Sequence, residues 1–185
     1  QSIVLDSKAD LVAYGMGDEN IVEIARRLQA GKTVKDLRGL RGGAYALGAR
    51  ETPPPPSATV AHIPSFEEVK SDKDKFLQAT KTIHHETNPF NARTVVQFHG
   101  KRAVIQNPPA LPVSQKQMDR YYSLPYSRRP HPSYREPIPA YEMFKDSVTL
   151  MRGFFGGCTF CSITTHQGRI IQSRSQASIL KELRA

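Results

Sequence analysis

The stretch Met151-Arg152-Gly153-Phe154-Phe155-Gly156-Gly157-Cys158-Thr159-Phe160-Cys161 holds the only two cysteines of the 185-residue chain, three positions apart in a glycine-rich turn. Two thiols at that spacing cannot staple a secreted domain, whereas such pairs in intracellular proteins serve metal or redox chemistry. The run Ser147-Val148-Thr149-Leu150-Met151 before the turn reads as a strand, and Ser175 is placed to cap a helix carrying Ile179, Leu180 and Leu183. The order strand, loop, helix predicts an α/β unit with its thiols on the loop after a strand, where barrel enzymes keep their chemistry. Gly153, Gly156 and Gly157 leave room for a tight backbone there. Four places before Cys158 stands Phe154, whose ring cannot ligate a metal.

Three readings of the cysteine pair compete on residues alone. A thioredoxin-like redox pair needs a thiol activated at the start of a clear amphipathic helix, and this one precedes a loop with His166. Zinc needs four ligands, no further cysteine exists, and the neighbours His84 and His85 would point in different directions on a helix. The third reading is an unligated, packed pair.

The residues around the pair narrow the choice. Arg152-Gly153, Gly156-Gly157, Ser162-Ile163-Thr164-Thr165-His166-Gln167-Gly168-Arg169 and Ile171-Gln172-Ser173-Arg174-Ser175 are similar to the YgiQ-type (UPF0313-like) radical-SAM family. Gln106-Asn107-Pro108-Pro109-Ala110, Leu124-Pro125-Tyr126-Ser127-Arg128 and His131-Pro132-Ser133-Tyr134 resemble it too, so the likeness covers most of the chain. The resemblance implies a C-x3-C-x2-C loop whose three thiolates hold three irons of a [4Fe-4S] cluster, leaving the fourth for S-adenosylmethionine. It further implies an electron donor and reductive cleavage of S-adenosylmethionine to methionine and a 5′-deoxyadenosyl radical, chemistry that belongs to the cofactor. Cys158 and Cys161 fall on the second and third ligand positions and Phe154 on the first. Phe160 matches the aromatic position beside the adenine of S-adenosylmethionine, although it could equally be core. Arg169 and Arg174 are read either as compensating cofactor charge or as a solvated basic turn. No catalytic residue is assigned, the substrate is open, and this chain by itself is expected to be inactive.

The same resemblance sets the expected architecture. Residues 1–50 would be the C-terminal end of a cobalamin-binding-like Rossmann domain, 51–139 a linker region, and 140–185 the first β-loop-α unit of a partial TIM barrel. Gln1 at the start and an apparent helix at the end read as an internal fragment. Locally, Asp10-Leu11-Val12-Ala13-Tyr14 is expected as a buried strand. A helix should follow, capped by Asp18, with Ile21, Ile24, Ala25 and Leu28 on one face and Gly31 as its stop. Gly15-x-Gly17 lacks the third glycine of a dinucleotide fingerprint and is assigned no ligand. Pro53-Pro54-Pro55-Pro56 is a stiff extended spacer. Residues 65–87 predict one or two helices, and 94–98 with 102–106 a β-hairpin. The recurring prolines of 107–139 argue against long regular elements there.

A net charge of +9 and a pI near 9.7 raise nucleic acid as a partner, but the basic residues are scattered and no nucleic-acid motif accompanies them. No membrane-length apolar run or secretory pattern is present, which makes a cytoplasmic protein the expectation. The competing class is a non-enzymatic binding module, or a zinc or redox CxxC protein.

Overall fold

The computed structural model describes residues 2–158 and 160–184. The elements run α1 (Ile3–Asp6), β1 (Val12–Ala13), α2 (Asp18–Gln29), β2 (Gly43–Ala46), β3 (Val60–His62), α3 (Phe66–Ser71), α4 (Lys73–His85), β4 (Thr94–His99), β5 (Arg102–Gln106) and α5 (Gln115–Tyr122). There follow α6 (Pro139–Phe144), β6 (Met151–Arg152), α7 (Ile163–His166), β7 (Gln172–Ser173) and α8 (Gln176–Leu183). They fall into two compact units, one of residues 1–111 with 154–169, the other of 112–153 with 170–185.

The first unit is built on a mixed α/β sheet with strand order β1-β2-β5-β4-β3. Its centre is the expected hairpin. Val95, Val96, Val104 and Ile105 are β-branched residues suited to a pleated surface, and Gly100 takes φ +58° in the turn, so that His99 pairs with Arg102. Val96 and Ile105 face each other in the register and are essentially inaccessible. Val104 packs on the opposite face with Val4 and Leu5, while Val95 meets Ile63 and Ala79 beneath the helices. Only β3 on β4 is parallel; the other three pairings are antiparallel. Within residues 1–50, expected to close a Rossmann domain, β1 and β2 pair antiparallel with each other, and β2 pairs antiparallel with β5. The proline run lies between β2 and β3 of this one sheet.

The expected buried strand at 10–14 is shorter than predicted: Val12 and Ala13 form a two-residue edge strand on β2. An edge strand has a partner on one side alone, which limits how much its apolar run is covered. Helix α2 forms where periodicity places it, but Gly17 rather than Asp18 occupies the cap position, and Asp18 joins Glu19 in the acidic first turn. At its other end Gly31 adopts φ +79° and Lys32 N–H donates to Arg27 C=O, closing the helix as predicted. Ile21 and Leu28 remain exposed, so the helix's apolar stripe is not covered as its pattern suggested.

Residues 65–87 give two helices because each has its own cap. Ser65 and Glu68 form a reciprocal capping box, and Asp72 accepts from Asp74 and Lys75 amides to start α4. The turn into β4 is closed by Glu86, which is 5% exposed: it accepts from Arg93 N–H at 2.6 Å and from the guanidinium at 2.8 and 2.5 Å. Although burial pushes the Glu86 carboxyl up, its bonds to Arg93 hold it below the ordinary carboxylate range.

In the second unit α5 is an eight-residue helix inside the proline-rich stretch, where the prolines argued against long regular elements. The Ser114/Gln117 capping box starts it, and Met118 and Tyr121 bury its inner face. The strand expected at 147–151 is reduced to β6, which pairs antiparallel with β7 as Met151↔Ser173 and Arg152↔Gln172. Ser175 caps α8 as predicted, accepting from Ser178 N–H at 3.1 Å.

Two outcomes follow from this packing. Ile105→Ala should destabilise the chain by about 2–5 kcal/mol through lost burial and a cavity between strands, read as a lower urea midpoint. His99, stacked on Phe66 at 5.4 Å, is buried with neither ring nitrogen hydrogen-bonded among the described residues, and burial lowers its pKa from the ordinary 6.5. Its neutral form is therefore the folded one. Stability from this residue is complete above the unfolded-state pKa and declines as pH falls below it, as the unfolded chain takes up the proton first. Urea midpoints recorded between pH 7.5 and 5 should fall for the native chain, and fall less for His99→Phe.

Candidate cluster loop

The glycines that shape the cysteine segment act differently. Gly153 and Gly168 take φ +88° and +83°, a left-handed backbone that side-chain-bearing residues disfavour. Phe154 N–H donates to Gly168 C=O at 3.0 Å, bringing the two ends of the segment together. Cys158 begins a turn closed by Cys161 N–H donating to the Cys158 carbonyl at 3.3 Å, and both thiols are free and half-buried. Thr159 between them lies outside the described residues.

Phe154 is half-buried, 6.0 Å from the Phe155 ring, and its ring folds over Gly156. A Cβ built at Gly156 would lie 2.6 Å from the Cε1 and Cζ atoms of Phe154. Carbon therefore occupies the place where the resemblance calls for a thiolate. A cluster that needs three sulfur donors on this loop does not fit the residues present: two thiols and a phenyl ring supply two ligands. Among the described residues no group of three or more His, Cys, Asp or Glu side chains is gathered to hold a metal ion.

The other expected site residues separate. Phe160 is 90% exposed, so its ring is available to a planar ligand and is not core. His84 and His85 have rings 6.2 Å apart, edge to face, and His84 Nε2 accepts from Arg169 Nη2 at 3.2 Å. Arg169 thus has a partner within its own unit. Arg174 is buried and hydrogen-bonded to Thr149 and Ser178, which overturns its reading as a solvated basic turn. The 106–110 motif is a seam: Asn107 Nδ2 donates to the Arg38 and Leu40 carbonyls at 2.6 and 2.7 Å, and Gly42 N–H donates to Pro108 C=O at 2.7 Å. Tyr14 O–H also donates to the Asn107 carbonyl, and burial pushes its pKa up to about 12. No helix is long and apolar enough to cross a membrane among the described residues.

Comparison with known proteins gives this loop its context. The family described as Radical SAM N-terminal matches residues 1–147. A UPF0313 protein of Geobacter sulfurreducens is 47% identical over 183 residues, covering 99% of this chain and 30% of its own length. A UPF0313 protein of Methanocella arvoryzae is 46% identical over the whole chain and 30% of its own length. The UPF0313 protein YgiQ of Escherichia coli is 39% identical over 237 aligned residues, covering all of this chain and 32% of itself. The chain spans about a third of the length of these relatives. No solved structure matches it.

The glycines provide a direct check on the loop. A Cβ at Gly168 would meet nothing within 4 Å, so Gly168→Ala should cost about 1 kcal/mol from its positive φ alone. Gly157→Ala, in open space with no positive φ, should stay within about 0.5 kcal/mol of the native chain in urea unfolding.

Proposed function

Because the chain belongs to the Radical SAM N-terminal family, we propose that it is part of a YgiQ-type radical-SAM protein whose cluster segment, residues 153–171, is disabled by Phe154. In the parent family a [4Fe-4S] cluster held by three thiolates binds S-adenosylmethionine and, with an electron donor, cleaves it reductively. The observation that carries the reading is the Phe154 ring folded over Gly156 at the first of three ligand positions, with Cys158 and Cys161 at the other two. No step of that chemistry is assigned to this chain. Phe160, exposed beside the last thiol, is the residue proposed to stack on the adenine of S-adenosylmethionine in a cluster-competent form. In this reading residues 140–185 begin a partial TIM barrel in a cytoplasmic protein, while 1–50 and 51–139, expected as a Rossmann-domain end and a linker, share one sheet through the pairing of β2 with β5.

A second reading, a non-enzymatic binding module, is favoured by the exposed stretch 123–135. There Tyr126 and Tyr134 stand about two-thirds exposed in a run with Arg129 and Arg135, a combination suited to stacking bases and neutralising phosphates.

The deciding experiment is anaerobic reconstitution with iron and sulfide of the native chain beside Phe154→Cys. Phe154→Cys is expected to retain about four irons per chain with the visible absorption of a cluster, and the native chain markedly fewer. A native chain that retains about four irons would overturn the assignment of Phe154 as the disabling residue.

A further inference from the structure

We propose that Arg174 is a positioning residue for the cysteine segment, an inference that rests on reading residues 153–171 as that segment. The Arg174 side chain is fully buried. A guanidinium presents five N–H donors in a rigid plane, and each has a partner here. Nε donates to Ser178 Oγ at 3.2 Å, while Nη2 donates to Ser178 Oγ at 2.9 Å and to Ser178 C=O at 3.0 Å. Nη1 donates to Thr149 C=O at 2.9 Å and pairs with the Glu182 carboxylate. The cation also lies 4.3 Å from the centre of the Tyr122 ring, and its own backbone N–H donates to Leu150 C=O at 3.0 Å. One residue thereby ties the chain entering β6, the end of α5 and the first two turns of α8.

That convergence matters because β6 and β7 are two residues each, and so short a ladder is not stable by itself. Residue 153 leads out of β6 and residues 170 and 171 lead into β7, so the pairing Arg152↔Gln172 sets the spacing and direction of both ends of the segment. Arg174 directly follows β7 and grips the residues directly before β6. Gln172 adds a second hold, its Oε1 accepting from Val113 N–H at 2.7 Å, and Asp119 accepts from Ser175 N–H at 2.8 Å. Glu182, also paired with Arg128, stays ionised: burial pushes its carboxyl up, but the bonds to Arg128 and Arg174 bring it below the ordinary range. A Lys in place of Arg174 would keep the charge and lose the planar fork that spans Thr149, Ser178 and Glu182. The guanidinium is thus committed to Thr149, Ser178 and Glu182 rather than to a cofactor.

The test compares the native 185-residue chain with Arg174→Lys and Arg128→Gln by hydrogen exchange and by iodoacetamide alkylation of Cys158 and Cys161. Arg174→Lys should exchange the amides of residues 150–152 and 172–174 about tenfold faster while those of β4 and β5 keep their protection. It should also shift the alkylation rates of the two thiols about threefold. Arg128→Gln, which shares Glu182 but touches neither Thr149 nor Ser178, should stay within about twofold of native in both readouts. Unchanged exchange in a folded Arg174→Lys chain, or equal acceleration in Arg128→Gln, would overturn the proposal. Should Arg174→Lys not fold, Ser178→Ala removes one acceptor of the fork with the charge intact, and native-like exchange at 150–152 in that variant would equally overturn it. In the Phe154→Cys background, adding Arg174→Lys should lower retained iron and broaden the electron paramagnetic resonance signal of the reduced cluster; an identical signal and iron count refute the positioning role. A Phe154→Cys chain that takes up no cluster refutes the proposed function instead, and leaves the exchange and alkylation results to judge Arg174.

Discussion

The first unit depends on the pairing of β4 with β5. Val96 and Ile105, opposed in register and shut off from water, form the centre of the sheet's core. The outer edges of the hairpin then recruit everything else: β3 along β4, and β2, with β1 beyond it, along β5. Each strand added covers backbone donors and acceptors that an isolated hairpin would leave to water. The end of β5 continues into Asn107, whose amide holds the 38–40 turn, so the family-like 106–110 motif is a product of the same anchoring rather than a separate site.

The second unit is organised by charge instead of a large apolar core. Met118 and Tyr121 supply the buried carbon of α5, while Arg174, Glu182 and Tyr122 supply the specificity. A buried ion pair loses hydration on folding and recovers it only where geometry satisfies every remaining hydrogen-bonding group. The Arg174 fork meets that condition on the cation's side through Thr149 and Ser178, while Glu182 Oε2, ion-paired with Arg174, is buried with no hydrogen-bond partner among the described residues. Such an arrangement restrains the backbone at the base of the cysteine segment, where Thr149 and Leu150 accept from Arg174.

The chemistry of that loop turns on one residue type. Thiolate sulfur donates electron pairs to iron, and a phenyl ring has none to give. With Phe154 folded over Gly156, the glycine's missing side chain accommodates the ring. Much of this was legible in the sequence: the spacing of Cys158 and Cys161, the phenylalanine four places upstream, the glycines, the Ser175 cap and the 94–106 hairpin all follow from local rules of ligand spacing, capping and alternation. The helix α5 was also signalled, by Ser114 and Gln117 in capping-box spacing, but the surrounding prolines obscured it. The strands at 10–14 and 147–151 were overread, because apolar β-branched runs show a tendency to extend without showing whether a partner strand is at hand.

By itself the sequence determined the elements whose causes are local. Caps, turn glycines, the hairpin's alternation and the donor atoms at 154, 158 and 161 need no knowledge of distant residues. Tertiary structure alone decided the rest: that the sheet is mostly antiparallel, that Ile21 and Leu28 stay exposed, and that Arg174 is buried while Arg128 and Arg169 keep partners at or near the surface. Arg128, Arg169 and Arg174 look alike in sequence until Thr149, Ser178 and Glu182 converge on the last of them, because burial of a charge is settled by what the fold brings to it and not by its neighbours along the chain.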